Sequence, residues 1–107
     1  MWFIFPQIDG LGRSSTARFY AIKNANEAKA YLDHPVLGAR LMECCKALLQ
    51  LTGKSASEIF GFPDDLKLCS SMTLFTVVSQ PGSPFSRVLD QYFEGQSDSR
   101  TLELLKR

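Results

Sequence analysis

Between Pro63 and Pro81 the chain carries a stretch with few ways to fold. At about 100° per residue, Leu66, Leu68, Cys69, Met72, Phe75 and Val77 spread around most of a helix circumference. A helix apolar nearly all round is buried on most of its sides. Such a helix needs neighbours on several faces, and the rest of the chain has to supply them. Pro63 and Asp64 suit its start and Pro81-Gly82 its end, so the expected central helix covers about residues 64–78.

The flanking sequence is punctuated for short helices. Ser14 or Ser15 caps a first one running to about Ile22. Asn24 and Glu27 have capping-box spacing for a second, through Ala28, Ala30, Tyr31 and Leu32. Asp33-His34-Pro35 restarts the chain, with Pro35 in a first helical turn. Leu37, Leu41, Cys44, Leu48 and Leu51 then recur every three or four residues as one buried face, with Gly53 placed as a left-handed cap. Ser55 and Glu58 form another capping box for one or two turns ended by Gly61. Ser83-Pro84 begins a helix through Phe93, stopped by Gly95, and Ser97 or Asp98 caps a last one with Leu102, Leu104 and Leu105. No run alternates with period two except the opening residues 2–5, which are too few for a strand assignment. The expected fold is an all-α, compact single-domain bundle of about five to six short helices, spanning residues 1–107 as one domain.

Composition supports that reading and narrows the partners. With 107 residues, 45% of them hydrophobic, the chain suffices for one core without metal or disulfide staples. The formal net charge is +1, with both signs interspersed. A nucleic-acid binder concentrates positive charge on one face, so DNA, RNA and anionic membranes are not the expected partners. The three cysteines, Cys44, Cys45 and Cys69, have no framework spacing, which points to a reducing compartment, the cytoplasm, and to core roles. Met1 to Phe5 is apolar but too short for a signal peptide or a membrane span.

Two polar clusters are candidates for binding. The first is Asp9-Gly10-Leu11-Gly12-Arg13-Ser14-Ser15. Gly10 and Gly12 let the backbone approach an anion, Ser14 opens a helix whose amides carry partial positive charge, and Arg13 adds a bidentate contact. The plain alternative is a tight turn and a helix cap, and the spacing is not that of a phosphate loop or dinucleotide fingerprint. The second cluster is Asp64, Lys67, Ser70 and Ser71, which fall within roughly one third of the central helix circumference. A polar stripe on a buried helix is solvated, paired internally or open to a ligand. Lys67 is expected to pair with Asp64 and to donate to Ser71. A Ser–Lys nucleophile is the sharper reading, and serines bonding back to their own helix are the commoner one.

Weaker candidates are His34, Asp64 and Trp2. His34, the only histidine, sits at a helix boundary that favours a local structural bond. Trp2, with Phe3 and Phe5, offers a stacking platform but suits a core better. No metal site and no cofactor are indicated, because no Cys or His partner has ligand spacing.

Several strings together resemble one family: Trp2-Phe3-Ile4-Phe5-Pro6-Gln7, Gly10-Leu11-Gly12-Arg13-Ser14, and His34-Pro35-Val36-Leu37-Gly38 with Arg40-Leu41. The others are Ile59-Phe60-Gly61, Pro63-Asp64-Asp65-Leu66-Lys67-Leu68, Ser70-Ser71-Met72-Thr73-Leu74-Phe75, and Asp98 with Thr101-Leu102. In this order they resemble the bacterial domain of unknown function eighteen-ten, across essentially the whole chain. The resemblance implies a mainly helical single domain and brings no reaction or catalytic roles. A "calpastatin" label often attached to the family conflicts with the physics. Inhibitors of that name are disordered and repetitive, and this chain is patterned for a packed core. Members of the family carry about one more helix and a short basic segment before the Trp-Phe-Ile-Phe string. Without them Trp2, Phe3 and Phe5 are expected to leave an apolar surface and to drive homo-oligomer formation.

Nothing in these residues assigns a reaction, and whether the chain is an enzyme stays open. The first expectation is a soluble helical domain that binds or acts on a small anionic ligand, with Gly10–Ser15 and Lys67–Ser71 meeting at one pocket. A protein-interaction module without catalysis is the alternative. A third reading, an N-glycosidase of ADP-ribose-type compounds (NADAR-like), rests on loose analogy in the Leu48–Gly61 region and needs a carboxylate at a pocket floor.

Overall fold

The computed structural model describes residues 5–8, 10 and 21–106. Among them are six helices and no strand: α1 (Ala25–Asp33), α2 (Leu37–Gln50), α3 (Ala56–Phe60), α4 (Asp64–Val77), α5 (Pro84–Phe93) and α6 (Ser99–Leu105). No helix among the described residues is long and apolar enough to cross a membrane.

The helix expected at the centre is there. Ser70, Ser71, Met72, Thr73, Leu74 and Phe75 are six consecutive buried residues on α4. Six positions at 100° sweep more than a full turn, so this half of α4 has no face left to solvent. Helices α1, α3, α5 and α6 all pack against it. A row of aromatic rings crosses the layers. Phe75 of α4 lies 5.7 Å from Tyr31 of α1 and 5.5 Å from Phe85 of α5, both in tilted geometry. Such ring pairs add to what their burial contributes.

Helix starts follow local chemistry closely. In α3, the Ser55 hydroxyl accepts from Glu58 N at 3.1 Å and Glu58 Oε1 accepts from Ser55 N at 3.0 Å, a complete capping box. That backbone hydrogen bond holds the Glu58 carboxyl below its ordinary pKa. In α1 the cap is simpler: Asn24 Oδ1 accepts from Glu27 N at 2.9 Å. Ser83 precedes Pro84 at the start of α5, where the missing proline N–H costs nothing. At the other end of α5 Glu94 adopts a left-handed conformation, φ 55°, immediately before Gly95.

Four expectations need correction. The inward face of α2 is Gly38, Leu41, Cys45 and Leu48, while Cys44 is half-buried and Leu37 and Leu51 are exposed. The reason is Gly38. A Cβ there would clash with the Leu32 carbonyl oxygen, so α1 and α2 touch through backbone and the helix is rotated to present its glycine. Secondly, α2 opens at Leu37 rather than at Pro35. His34 Nδ1 accepts from Val36 N and Leu37 N, each at 3.1 Å, and makes the local bond expected of it. At the far end Leu51 leaves α2 with φ −78° and ψ 129°, so Gly53 (φ 76°) turns the following loop instead of capping the helix.

Lastly, the helix expected from Ser14 or Ser15 to about Ile22 lies mostly outside the described residues, and Ala21 and Ile22 are not helical. Ile22 instead forms a parallel bridge with Ile8, its N–H donating to Gln7 O at 2.7 Å. Both isoleucines are buried with Phe5 in the main core. Phe5 meets Phe60 of α3 edge-on at 6.1 Å.

Candidate functional site

The polar stripe of α4 does not survive as one cluster. Asp64 and Lys67 pair as expected, at 3.4 Å across one turn. Ser70 and Ser71, adjacent in sequence, point about 100° apart and meet different surroundings. Ser70 turns toward α6. Its hydroxyl donates to Leu66 O at 3.1 Å and lies 3.3 Å from Asp98 Oδ2. Ser71 is fully buried, and its hydroxyl has no hydrogen-bond partner among the described residues.

The expected donation from Lys67 to Ser71 is therefore absent. A general base has to lie within hydrogen-bond reach of the proton it removes, so this geometry does not assemble a Ser–Lys nucleophile. The electrostatics are also milder than an anion site needs. Asp64 offsets Lys67, and Asp65 adds a second carboxylate in the same turn, its Oδ1 accepting from Leu66 N at 2.9 Å. This end of α4 carries no net positive charge. It does hold a cation and, one turn away on the same face, a hydroxyl with its bonding capacity unused.

Ser70 belongs to a separate network that fastens α6. Asp98 caps α6, its Oδ2 accepting from Thr101 N at 3.0 Å and from Thr101 Oγ1 at 2.6 Å. Asp98 N donates to Thr73 Oγ1 at 2.9 Å, and that hydroxyl donates to Cys69 O at 2.8 Å. The sequence signals the cap, since Asp98 precedes a helix. Nothing local signals that Ser70 and Thr73, some 25 residues earlier, complete the cluster.

Of the glycine-rich cluster only Gly10 is placed, exposed and with φ 108°. Gly12, Arg13, Ser14 and Trp2 lie outside the described residues. His34 is exposed, and its Nδ1 is occupied by two backbone amides. No group of three His, Cys, Asp or Glu among the described residues could hold a metal ion.

A shallow depression of about 410 Å³ lies between the 52–55 loop, Gln91 and Tyr92 of α5, and Glu94 just beyond that helix. It adjoins the Leu48–Gly61 region. Two of its donors are already engaged: Gln91 Nε2 donates to Leu51 O and Tyr92 OH to Leu48 O, both at 2.6 Å. The only acidic side chain of residues 48–61, Glu58, is exposed and spends one oxygen on its helix cap. It does not sit at a pocket floor as the glycosidase reading needs.

Comparison with known proteins agrees with this fold. A crystal structure of the conserved hypothetical protein Rv1873 from Mycobacterium tuberculosis is similar, with a TM-score of 0.95 and 50% sequence identity. The similarity covers 99% of this chain and 76% of that one. A search of curated proteins gives no match. The family model described as "Protein of unknown function (DUF1810)" matches residues 1–105. With half-identical sequence, the same helical fold and a family match along nearly its whole length, the chain belongs to the DUF1810 family.

Proposed function

We propose that this domain binds a small oxygen-bearing molecule at the Lys67 end of α4, where a local opening brings it to the enclosed Ser71 hydroxyl. One observation carries the reading: the Ser71 hydroxyl is fully buried and unpartnered, one turn from Lys67. A buried hydroxyl without a partner costs about 1–3 kcal/mol, and a bound oxygen acceptor removes that cost. The anionic class expected from sequence leans on Arg13 as well as Lys67. The described face by itself supports an oxygen acceptor, charged or neutral.

A thermal-shift screen against nucleotides, ADP-ribose, sugar phosphates, small carboxylates and neutral polyols tests this. A ligand at a hundredfold excess over its Kd stabilises by about 2.7 kcal/mol and raises Tm by several degrees. Both Ser71→Ala and Lys67→Met are expected to abolish the shift, with Ser71→Ala at least as stable as the parent without ligand. A shift that persists in both variants, or none with any compound, sinks the reading.

A second reading, a protein-interaction module, has its own support. Phe62 is 79% exposed and Leu66, one turn further on, is 54% exposed. Sedimentation at high concentration checks self-association through this corner. If a Phe62→Ser, Leu66→Ser double variant leaves the profile unchanged, these residues are not the contact. The three free thiols support a reducing, cytoplasmic location, which fractionation of expressing cells tests.

A further inference from the structure

Helix α6 is a short element at the end of the described fold. It has seven residues, and isolated helices that short are not stable in water, so its helicity depends on docking. Among the described helices, α4 is the one against which it packs extensively. The chain reaches it through Glu94 and Gly95, both at positive φ, and through exposed Gln96 and Ser97. Among the described residues the polar clasp to α4 lies at one end, where Asp98 holds Thr101 and meets Ser70 and Thr73. Cys69 lies under that end, half-buried, its Sγ 3.8 Å from Gln96 O.

We propose that α6 is a releasable strap, opening as a unit while the rest of the bundle stays folded, and that this opening uncovers Cys69. Local opening of this kind is expected where an element is docked by one face and one cluster of bonds. Cys45 supplies the internal contrast. It is fully buried between α2 and α4, with its Sγ 3.7 Å from Met72 Sδ, and only global unfolding reaches it. The proposal does not depend on the ligand reading, since Ser70 and Ser71 point to different surroundings.

Thiol labelling of two single-cysteine variants tests it. In one, Cys44 and Cys45 are replaced by Ala and Cys69 is kept; in the other Cys45 is kept. Cys69 is expected to label far faster than Cys45, with little dependence on low urea concentration. Weakening the clasp is expected to speed Cys69 labelling by about tenfold, the scale of two lost hydrogen bonds, with its weak urea dependence kept, while Cys45 labelling keeps the steep urea dependence of global unfolding. Because the Asp98 charge itself disfavours the Cys69 thiolate, Asp98→Ala alone mixes two effects. The Ser70→Ala, Thr73→Val double variant keeps that charge and removes the cross-helix bonds; it also removes the Thr73 hydrogen bond that favours the Cys69 thiolate, which slows labelling, so an acceleration reports release.

Equal labelling rates with the same urea dependence at both cysteines would show that α6 leaves only on global unfolding. Cys69 labelling at the rate of an unstructured peptide, unaffected by the double variant, would show that α6 does not cover it. Each of these outcomes overturns the proposal.

Discussion

The Ser70 hydroxyl of α4 lies 3.3 Å from Asp98 Oδ2 at the start of α6, so the cap of one helix is also its fastening to another. Removing Asp98 takes away a helix cap, two bonds to Thr101 and the cross-helix contact together. Asp98→Ala is expected to cost about 2 kcal/mol, and Ser70→Ala about 1 kcal/mol, because Asp98 keeps its Thr101 donors in the second case. Urea denaturation followed by circular dichroism checks both values. A Ser70→Ala loss equal to that of Asp98→Ala would mean the shared carboxylate is not the centre of the cluster.

Gly38 allows α1 and α2 to touch, and alanine there cannot fit. The added Cβ would clash with the Leu32 carbonyl oxygen, a backbone atom that moves only if α1 moves. Gly38→Ala is therefore expected to destabilise by about 3 kcal/mol or more, despite the better helix propensity of alanine. Thermal unfolding measures it, and a stability gain would show that α1 and α2 cross with more room than this contact allows.

Phe75 sits at the middle of the aromatic row, fully buried between Tyr31 and Phe85. Phe75→Ala is expected to cost about 3–5 kcal/mol, enough to unfold a marginally stable domain. Leu66, on the same helix but 54% exposed, is expected to tolerate alanine within about 0.5 kcal/mol. Comparable losses at the two positions would contradict the placement of α4.

Alkaline pH should destabilise this fold before most charged groups respond. Burial, reinforced by neighbouring Cys44, pushes the Cys45 thiol from 9.0 up to about 12. The folded chain thus keeps a proton that the unfolded chain releases. The associated stability is fully present below about pH 9 and is lost as pH rises toward about 12. Each pH unit by which the folded thiol holds its proton longer is worth about 1.4 kcal/mol, so the loss is on the order of a few kcal/mol. Burial raises the pKa of Tyr31 and Cys69 as well, and they act in the same direction. The Tm decrease between about pH 8 and about pH 10.5 is expected to be smaller in Cys45→Ala. An identical decrease would remove Cys45 as the cause.

Much of the fold was legible because its signals are local. The Ser55–Glu58 box, the Asn24, Ser83 and Asp98 caps and the apolar wrap of α4 each lie within one element, and the helices formed where those signals stood. The rotation of α2 was not legible. The faces read from 37/41/44/48/51 and found at 38/41/45/48 are both consistent with helical period, and only the approach of Leu32 to Gly38 selects between them.

The candidate site divides along the same line. That Asp64 and Lys67 pair follows from their spacing on a helix, which needs no tertiary information. Whether Ser70 or Ser71 is spent on structure depends on what stands opposite each of them. The arrival of Asp98 from about 28 residues away takes Ser70, while Ser71 is enclosed without a partner. The sequence alone determined a helical bundle around a buried central helix, because periodicity and capping act between near neighbours. Only the tertiary structure decided which polar groups on that helix are satisfied, because hydrogen bonding across a core depends on which distant element packs there.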